Sequence, residues 1–335
     1  MHIVLDDSRL SPLNQTRGIG VYTRKLFQAL EKIDSQNDYQ LVTNRHYLDK
    51  ADLIHFPHFE LFFFNLPWRK TATWVVTIHD VIPLVFPDNF PPGIRGRIKF
   101  LIQRYHLSQA DAIITDSQNS KKDIQHYLGI PQSKTHVVYL GVAKAFRPLN
   151  ITRKPWLLYV GDVNYNKNLP TLLEAFASLK SSHLNLVLVS HAWQRPIPEV
   201  IKLRQLITSL GLDDQVRTIS KLTPTELVRL YNRVILYIQP SLYEGFGLPV
   251  LEAMACGTPV VCTHVASLPE IASSAAIMVP PTATALASGI NRVLNFTSNE
   301  RRQYVKAGIA QAKKFTWEKT AQDTLTVYNQ VLNRQ

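Results

Sequence analysis

Cysteine is nearly missing from this chain of 335 residues, which carries only Cys256 and Cys262. Two thiols make no disulfide framework, and no Cys/His cluster has zinc-finger spacing. Both are expected to be buried, Cys256 behind a helix-like segment and Cys262 in an apolar, strand-like run. Long apolar stretches are missing too. None reaches the roughly 18 residues that a bilayer-spanning helix needs, and the longest, Trp74 to Phe86, is interrupted by His79-Asp80. No basic-then-apolar leader precedes the opening strand Met1-His-Ile-Val-Leu-Asp6. A soluble protein of a reducing compartment is therefore expected, cytoplasmic or resting on the inner face of a membrane. Acidic residues are few, 25 against 37 basic, for a net charge of +12. Up to residue 150 there are 18 basic and 13 acidic residues, and beyond it 19 and 12. An excess spread so evenly argues against a basic nucleic-acid arm. It suits an anionic ligand such as a nucleotide diphosphate, or an anionic membrane surface, and equally suits a protein that is simply basic.

What the chain has is a regular alternation of short apolar runs with stretches of helical period. This predicts parallel sheets with crossover helices, an α/β fold of two Rossmann-like, doubly wound domains. Strands are expected at 2–5, 40–43, 53–56, 74–78, 112–115 and 136–140, and again at 156–160, 184–189, 216–219, 234–238, 260–263 and 276–279. The clearest helices are expected at 21–33, 94–109, 120–128, 169–179, 199–210, 225–231, 249–255 and 285–294. Two more, 299–314 and 317–332, follow. Gly141 to Leu149 has no clean period and reads as the linker. The reading divides the chain into two Rossmann-like domains, 1–145 and 146–315, and a helix, 316–335, packing back on the first domain. Ligands of such folds sit beyond the carboxyl ends of the strands, so a cleft between the domains is the expected site.

The most informative stretch runs from Val234 to Val261. A strand ends at Gln239-Pro-Ser241, a loop follows through Glu244-Gly-Phe-Gly247, and a helix opens at Leu248-Pro249. Loop amides and a helix amino terminus make an anion site. Glu244 in the loop and Glu252, placed in the first helical turn, fit as acceptors for vicinal sugar hydroxyls. Alternatively Glu252 complements the helix dipole and Glu244 is solvated. Three further segments end strands or open helices. Lys167, in Gly161-Asp-Val-Asn-Tyr-Asn-Lys-Asn168, stands near a helix start where positive charge would neutralise a leaving diphosphate. Gly18 and Gly20 open a helix and permit close backbone approach, with Arg17 beside them an anion contact or a surface base. His79 and Asp80 end a strand, and a lone strand-end histidine is by itself read as structural.

Pro240 to Val261, with Glu244 and Glu252 separated by seven residues, resembles the signature of the family 4 glycosyltransferases. Similarity continues through Thr16-Arg-Gly-Ile-Gly20, Thr77-Ile-His-Asp80, Ile113-Ile-Thr-Asp-Ser117, Val138-Tyr-Leu-Gly-Val142 and Phe315-Thr-Trp-Glu318, almost the whole chain. The resemblance implies the GT-B fold, with 1–145 as acceptor domain and 146–315 as nucleotide-sugar donor domain, and transfer of a sugar from a nucleotide-sugar donor with retention of configuration. It places Glu252 on the ribose hydroxyls and Glu244 on the donor hexose. Gly245, Phe246, Gly247 and Leu248 would meet the sugar and distal phosphate, Gly18 and Gly20 the donor phosphates, Lys167 the diphosphate, and His79 the donor sugar. Arg17 and Asp80 would be acceptor or secondary contacts, and Ser117 and Ser120 lie near the acceptor unless Ser120 only caps the next helix. Relatives place an arginine where this chain has Asp162; Arg17, Lys221 or backbone amides would have to compensate. No metal and no cofactor are implied beyond the donor substrate. The expected partners are a nucleotide-diphosphate sugar and a glycan or lipid-linked acceptor, with no nucleic acid. Mannose from GDP-mannose is the leading expectation, a UDP-linked hexose the second. An NAD-dependent oxidoreductase lacks its third glycine, at Thr23, and an inactive scaffold would not keep both glutamates.

A peripheral membrane contact is suggested separately. Phe59-Glu-Leu-Phe-Phe-Phe64 and Trp68-Arg-Lys70 put aromatics near bases, and Arg95, Arg97, Lys99 and Arg104 stud a helix. The other reading makes the phenylalanines core and the bases solvated.

Overall fold

The computed structural model describes residues 1–8, 18–43 and 50–333. The chain divides into two compact units, Met1–Gly141 with Phe315–Gln335, and Val142–Lys314. The division falls at the start of the aperiodic stretch 141–149.

The first unit is built on a six-stranded sheet of β1 (His2–Asp6), β2 (Asp38–Val42), β3 (Leu53–Phe56), β4 (Thr73–Thr77), β5 (Ala112–Thr115) and β6 (Thr135–Val137). Their spatial order is β2-β1-β3-β4-β5-β6, and every pair is parallel. The strands are near-continuous apolar runs because helices cover both faces; all of Thr73–Thr77 is buried. The core gathers Ile54, Phe56, Trp74, Val76 and Ile113. The helix Trp317–Leu332, capped by Thr316, packs on the helix Gly18–Ile33. Gly141 is confined by this return of the chain: a Cβ there would lie 2.2 Å from the Trp317 amide nitrogen.

The second unit carries β7 (Lys154–Val160), β8 (Asn185–Val189), β9 (Val216–Ile219), β10 (Val234–Gln239), β11 (Val260–Thr263) and β12 (Ile277–Val279). Their order, β12-β11-β10-β7-β8-β9, is the doubly wound pattern that reverses between its first and fourth strands. The reversal lies between β7 and β10, which pair in parallel. Loops leaving their carboxyl ends diverge to opposite faces and open a crevice there.

Two short helices, Ile82–Val85 and Leu268–Ala272, were not expected from the sequence. At four and five residues they are too short to show a period. The helix expected from Ser120 begins at Gln118 instead. Ser117 is its cap, accepting the Ser120 amide at 3.0 Å. Both serines are fully buried, which leaves Ser120 neither a cap nor open to an acceptor.

Candidate active site

Lys167 and Glu244 reach each other across the crevice of the second unit, one from the loop after β7 and the other from the loop after β10. A single 3₁₀ turn, Tyr165–Lys167, carries the lysine. It ends at Asn168, whose left-handed backbone (φ 54°) turns the chain into the helix Leu169–Ser178. The Lys167 Nζ lies 2.9 Å from Glu244 Oε1 and 2.7 Å from Oε2. Oε1 also accepts the Gln239 amide at 2.7 Å and the Ser241 hydroxyl at 2.6 Å. Glu244 is buried, and its charge is met by this pairing together with neutral donors.

The loop between Gln239 and Leu248 is held by side chains from its neighbours. Asn166 donates to the Tyr243 carbonyl at 3.1 Å, and Asn168 to that of Pro240 at 3.0 Å. Thr263 donates to the Ser241 carbonyl at 2.6 Å. The Ser267 hydroxyl lies 2.8 Å from the Glu244 carbonyl and 2.7 Å from that of Phe246. Gly247 takes φ 109°, a conformation glycine alone adopts readily, and no side chain caps the helix Leu248–Ala255 that follows. Gly245, Phe246, Gly247 and Leu248 thus form a fixed turn onto an uncapped amino terminus, where helical amides and the macrodipole favour an anion.

Glu252 stands in the second turn of that helix rather than the first, since the helix starts at Leu248. This weakens the helix-dipole account. Its Oε2 accepts the hydroxyl of buried Tyr231 at 3.0 Å. Burial pushes its pKa up to about 7, against a smaller downward pull from Tyr231.

Asp162, where the resemblance implies an arginine, is exposed, and Lys221 beyond the edge strand β9 is exposed too. The Asp162 carbonyl is taken by the Tyr159 hydroxyl at 2.6 Å. Among the described residues Lys167 is the cation that meets Glu244; Arg17 lies outside them.

In the first unit, Gly18 opens its helix with no described atom within 4 Å of where a side chain would sit, and Gly20 is buried. Asp80 Oδ1 accepts the Ile82 amide at 3.0 Å, ahead of the short helix that follows. His79 is held between two acceptors: its Nδ1 lies 2.7 Å from Asp116 Oδ2 and its Nε2 3.2 Å from the Pro57 carbonyl. Tyr22 meets the imidazole edge-on at 4.8 Å. Burial alone would lower the His79 pKa, but Asp116, with help from Asp80, holds it above the ordinary histidine value. Behind it runs a buried chain of hydrogen bonds. Tyr22 meets Thr77 at 3.1 Å, Thr77 meets His55 at 2.7 Å, and His55 meets Tyr328 at 2.6 Å. Burial drives the His55 pKa down to about 3, so this histidine is neutral.

The aromatic segment 59–68 divides. Phe59 is buried in the core, whereas Phe63 and Trp68 are 62% and 70% exposed. On the helix Gly93–Ser108, Ile94, Ile98, Leu101 and Tyr105 form an exposed stripe at helical spacing. The Lys99 ammonium lies over the Phe63 ring at 5.5 Å. No helix among the described residues is long and apolar enough to cross a membrane.

Two parallel doubly wound units, the second with a lysine–glutamate pair facing an uncapped helix start, define a GT-B glycosyltransferase. The description "Glycosyl transferases group 1" matches residues 142–311, and "Glycosyltransferase Family 4" matches residues 11–146. The chain belongs to this glycosyltransferase family. It is 30% identical over 281 residues to O-antigen chain mannosyltransferase B of Escherichia coli, covering 79% of this chain and 72% of that one. It is 30% identical over 240 residues to an MMP alpha-(1->4)-mannosyltransferase of Mycolicibacterium hassiacum, covering 70% and 57%. The serotype-specific mannosyltransferase WbdA of Escherichia coli is 26% identical over 80% of this chain, which spans only 34% of that longer relative. Among solved structures, sucrose-phosphate synthase from Thermosynechococcus elongatus superposes with a TM-score of 0.80 at 22% identity over both full chains. WaaG, a glycosyltransferase involved in lipopolysaccharide biosynthesis, gives 0.74 at 15% identity over 97% of this chain and 99% of its own. At these identities the structures share the fold.

Proposed function

We propose that the protein transfers a hexose, mannose from GDP-mannose before any other, to a glycan or lipid-linked acceptor with retention of configuration. The observation that carries this reading is the Lys167–Glu244 pair before the amino terminus of Leu248–Ala255. Two of the three ammonium hydrogens are committed to Glu244, and the third is left for a phosphate oxygen. Among the described residues Glu244 Oε2 receives only the lysine, so it retains a lone pair for a sugar hydroxyl. Glu252 takes the ribose hydroxyls. The acceptor oxygen attacks the anomeric carbon as the bond to the diphosphate breaks. The departing phosphate receives the acceptor's proton, and its growing charge is met by Lys167, the Gly247 loop amides and the helix dipole. These groups act without a metal, so chelators should leave the rate unchanged. Mannose is favoured by the names of the relatives, several of them mannosyltransferases. A UDP-linked hexose is the second reading, supported by a structural neighbour, Anabaena HepE, that was solved with UDP and glucose. Thermal stabilisation and donor hydrolysis across GDP-, UDP- and ADP-sugars test both; no response to any of them sinks the reading.

The exposed stripe supports a peripheral contact with an anionic membrane. Four bases, Arg95, Arg97, Lys99 and Arg104, and no acidic residue share the helix Gly93–Ser108 with Ile94, Ile98, Leu101 and Tyr105. Aliphatic side chains enter the interface while bases meet lipid phosphates.

A further inference from the structure

His79 has been treated as a residue that acts on the sugar; what it can do depends on where its protons are. The Pro57 carbonyl can only accept, so a hydrogen bond to it at 3.2 Å puts a proton on Nε2. The 2.7 Å contact at Nδ1 then holds a second proton, between the ring and Asp116. Asp116 is almost fully buried, which raises its pKa, and the contact with His79 opposes that; among the described residues its other oxygen has no hydrogen-bond partner, so the histidine is its counter-charge by contact. Among the described residues the charged and titratable groups around the ring are few. Asp116 comes from the end of β5, Asp80 from the next residue, His55 from β3, and Tyr22 from the helix Gly18–Ile33. His55 and Tyr22 are buried and neutral, so neither competes with Asp116 for the proton.

We infer that Asp116 is a positioning residue that locks His79 with both ring nitrogens protonated, so that His79 contributes positive charge to the transfer and not a base. The inference rests on the proposed transfer and on the resemblance that sets His79 against the donor sugar. It removes this histidine as the acceptor's general base and agrees with proton delivery to the departing phosphate. Asp116 acts only through His79.

The ring nitrogens can be observed directly. In ¹⁵N-labelled full-length protein at pH 7.5, both His79 nitrogens should show imidazolium shifts, and the titration should run above the ordinary histidine value. Asp116→Asn should lower that titration, because the chief group opposing burial is gone and only Asp80 and the Pro57 carbonyl still oppose it. The alkaline limb of kcat/KM should move with it, giving a loss of about tenfold or more at pH 8 and a smaller one near pH 5.5. Asp116→Glu, which restores the carboxylate, should recover part of the limb. A wild-type His79 with one bare nitrogen at pH 7.5, or a titration unmoved in Asp116→Asn, overturns the inference, and the wild-type spectrum decides even where a variant fails to fold. Full turnover by His79→Gln, with the spectra as expected, would sink instead the reading that His79 takes part.

Discussion

The Lys167 ammonium contacts both oxygens of the Glu244 carboxylate, at 2.9 and 2.7 Å, although the two residues lie 77 positions apart. Neither is far from solvent, yet both side chains are more than four-fifths covered. Removing one partner leaves the other charged in a poor solvent. Lys167→Ala should lower kcat by about 10²–10³-fold through the lost phosphate contact. It should also cost up to about 3 kcal/mol in urea unfolding, as a broken buried pair does. Unchanged turnover in that variant would remove the donor-site assignment.

Glu252 gives a pH signature. Its carboxyl releases its proton near 4.5 when unfolded and near 7 when folded. Between those values the native state holds the extra proton, so this residue's contribution to stability falls as pH rises and stays low above 7. Glu252→Gln should therefore gain on wild type by up to about 3 kcal/mol between pH 4.5 and pH 8, read from urea midpoints. Donor affinity should run the other way. Ribose hydroxyls need an ionised acceptor, so wild-type binding by calorimetry should weaken as pH drops below 7, and Glu252→Ala should bind weakly throughout.

Gly247 sits at φ 109°, and a Cβ would come within 2.8 Å of the Leu268 Cδ2. That methyl can swing aside; the backbone cannot relax so easily. Gly247→Ala should cost about 1–3 kcal/mol and raise the donor Kd by displacing the loop amides. A variant with wild-type melting temperature and donor Kd would contradict the assigned turn.

Tyr328→Phe should destabilise the first unit by about 1–3 kcal/mol by leaving the buried His55 Nδ1 without its partner. His55 titrates near 3 when folded and 6.5 when unfolded. The unfolded chain binds the extra proton in that window, so stability from this site is lost as pH falls from 6.5 toward 3. The variant should bring acid unfolding to higher pH, followed by far-UV circular dichroism.

Replacing Ile94, Ile98 and Leu101 together with serine should abolish sedimentation with phosphatidylglycerol vesicles while soluble-acceptor turnover stays unchanged. Wild-type binding should fall steeply with added salt. Equal recovery of variant and wild type with the vesicles would remove the membrane contact.

Much of this was legible in the sequence because it is local. Strands announce themselves as short apolar runs, and the loop from Pro240 to Val261 keeps its two glutamates, glycines and proline within one stretch. The partners of those residues are not local. Nothing in the spacing tells that Asp116 will meet His79, 37 residues earlier, or that Gln239 and Ser241 will saturate one oxygen of Glu244. The one available signal was position, since polar residues at the carboxyl ends of β5 and β10 face the ligand side of their sheets. Ser117 and Ser120 show the opposite difficulty. Both suit a helix cap, and only the backbone, extended at Ser117, decides between them. The aromatic run 59–64 carries no regular period, so its split between core and surface could not be assigned residue by residue.

The segment from Phe315 completes the unit that begins at Met1, while Val142–Lys314 is one continuous stretch. A chain emerging from the ribosome can close the second unit while the first still lacks a helix, with His55 waiting for Tyr328 and Gly141 for Trp317. The order of synthesis and the order of completion are thus reversed. Until the helix Trp317–Leu332 is made, the half of the enzyme bearing His79 is the unfinished one, which would delay its activity until synthesis has passed that helix.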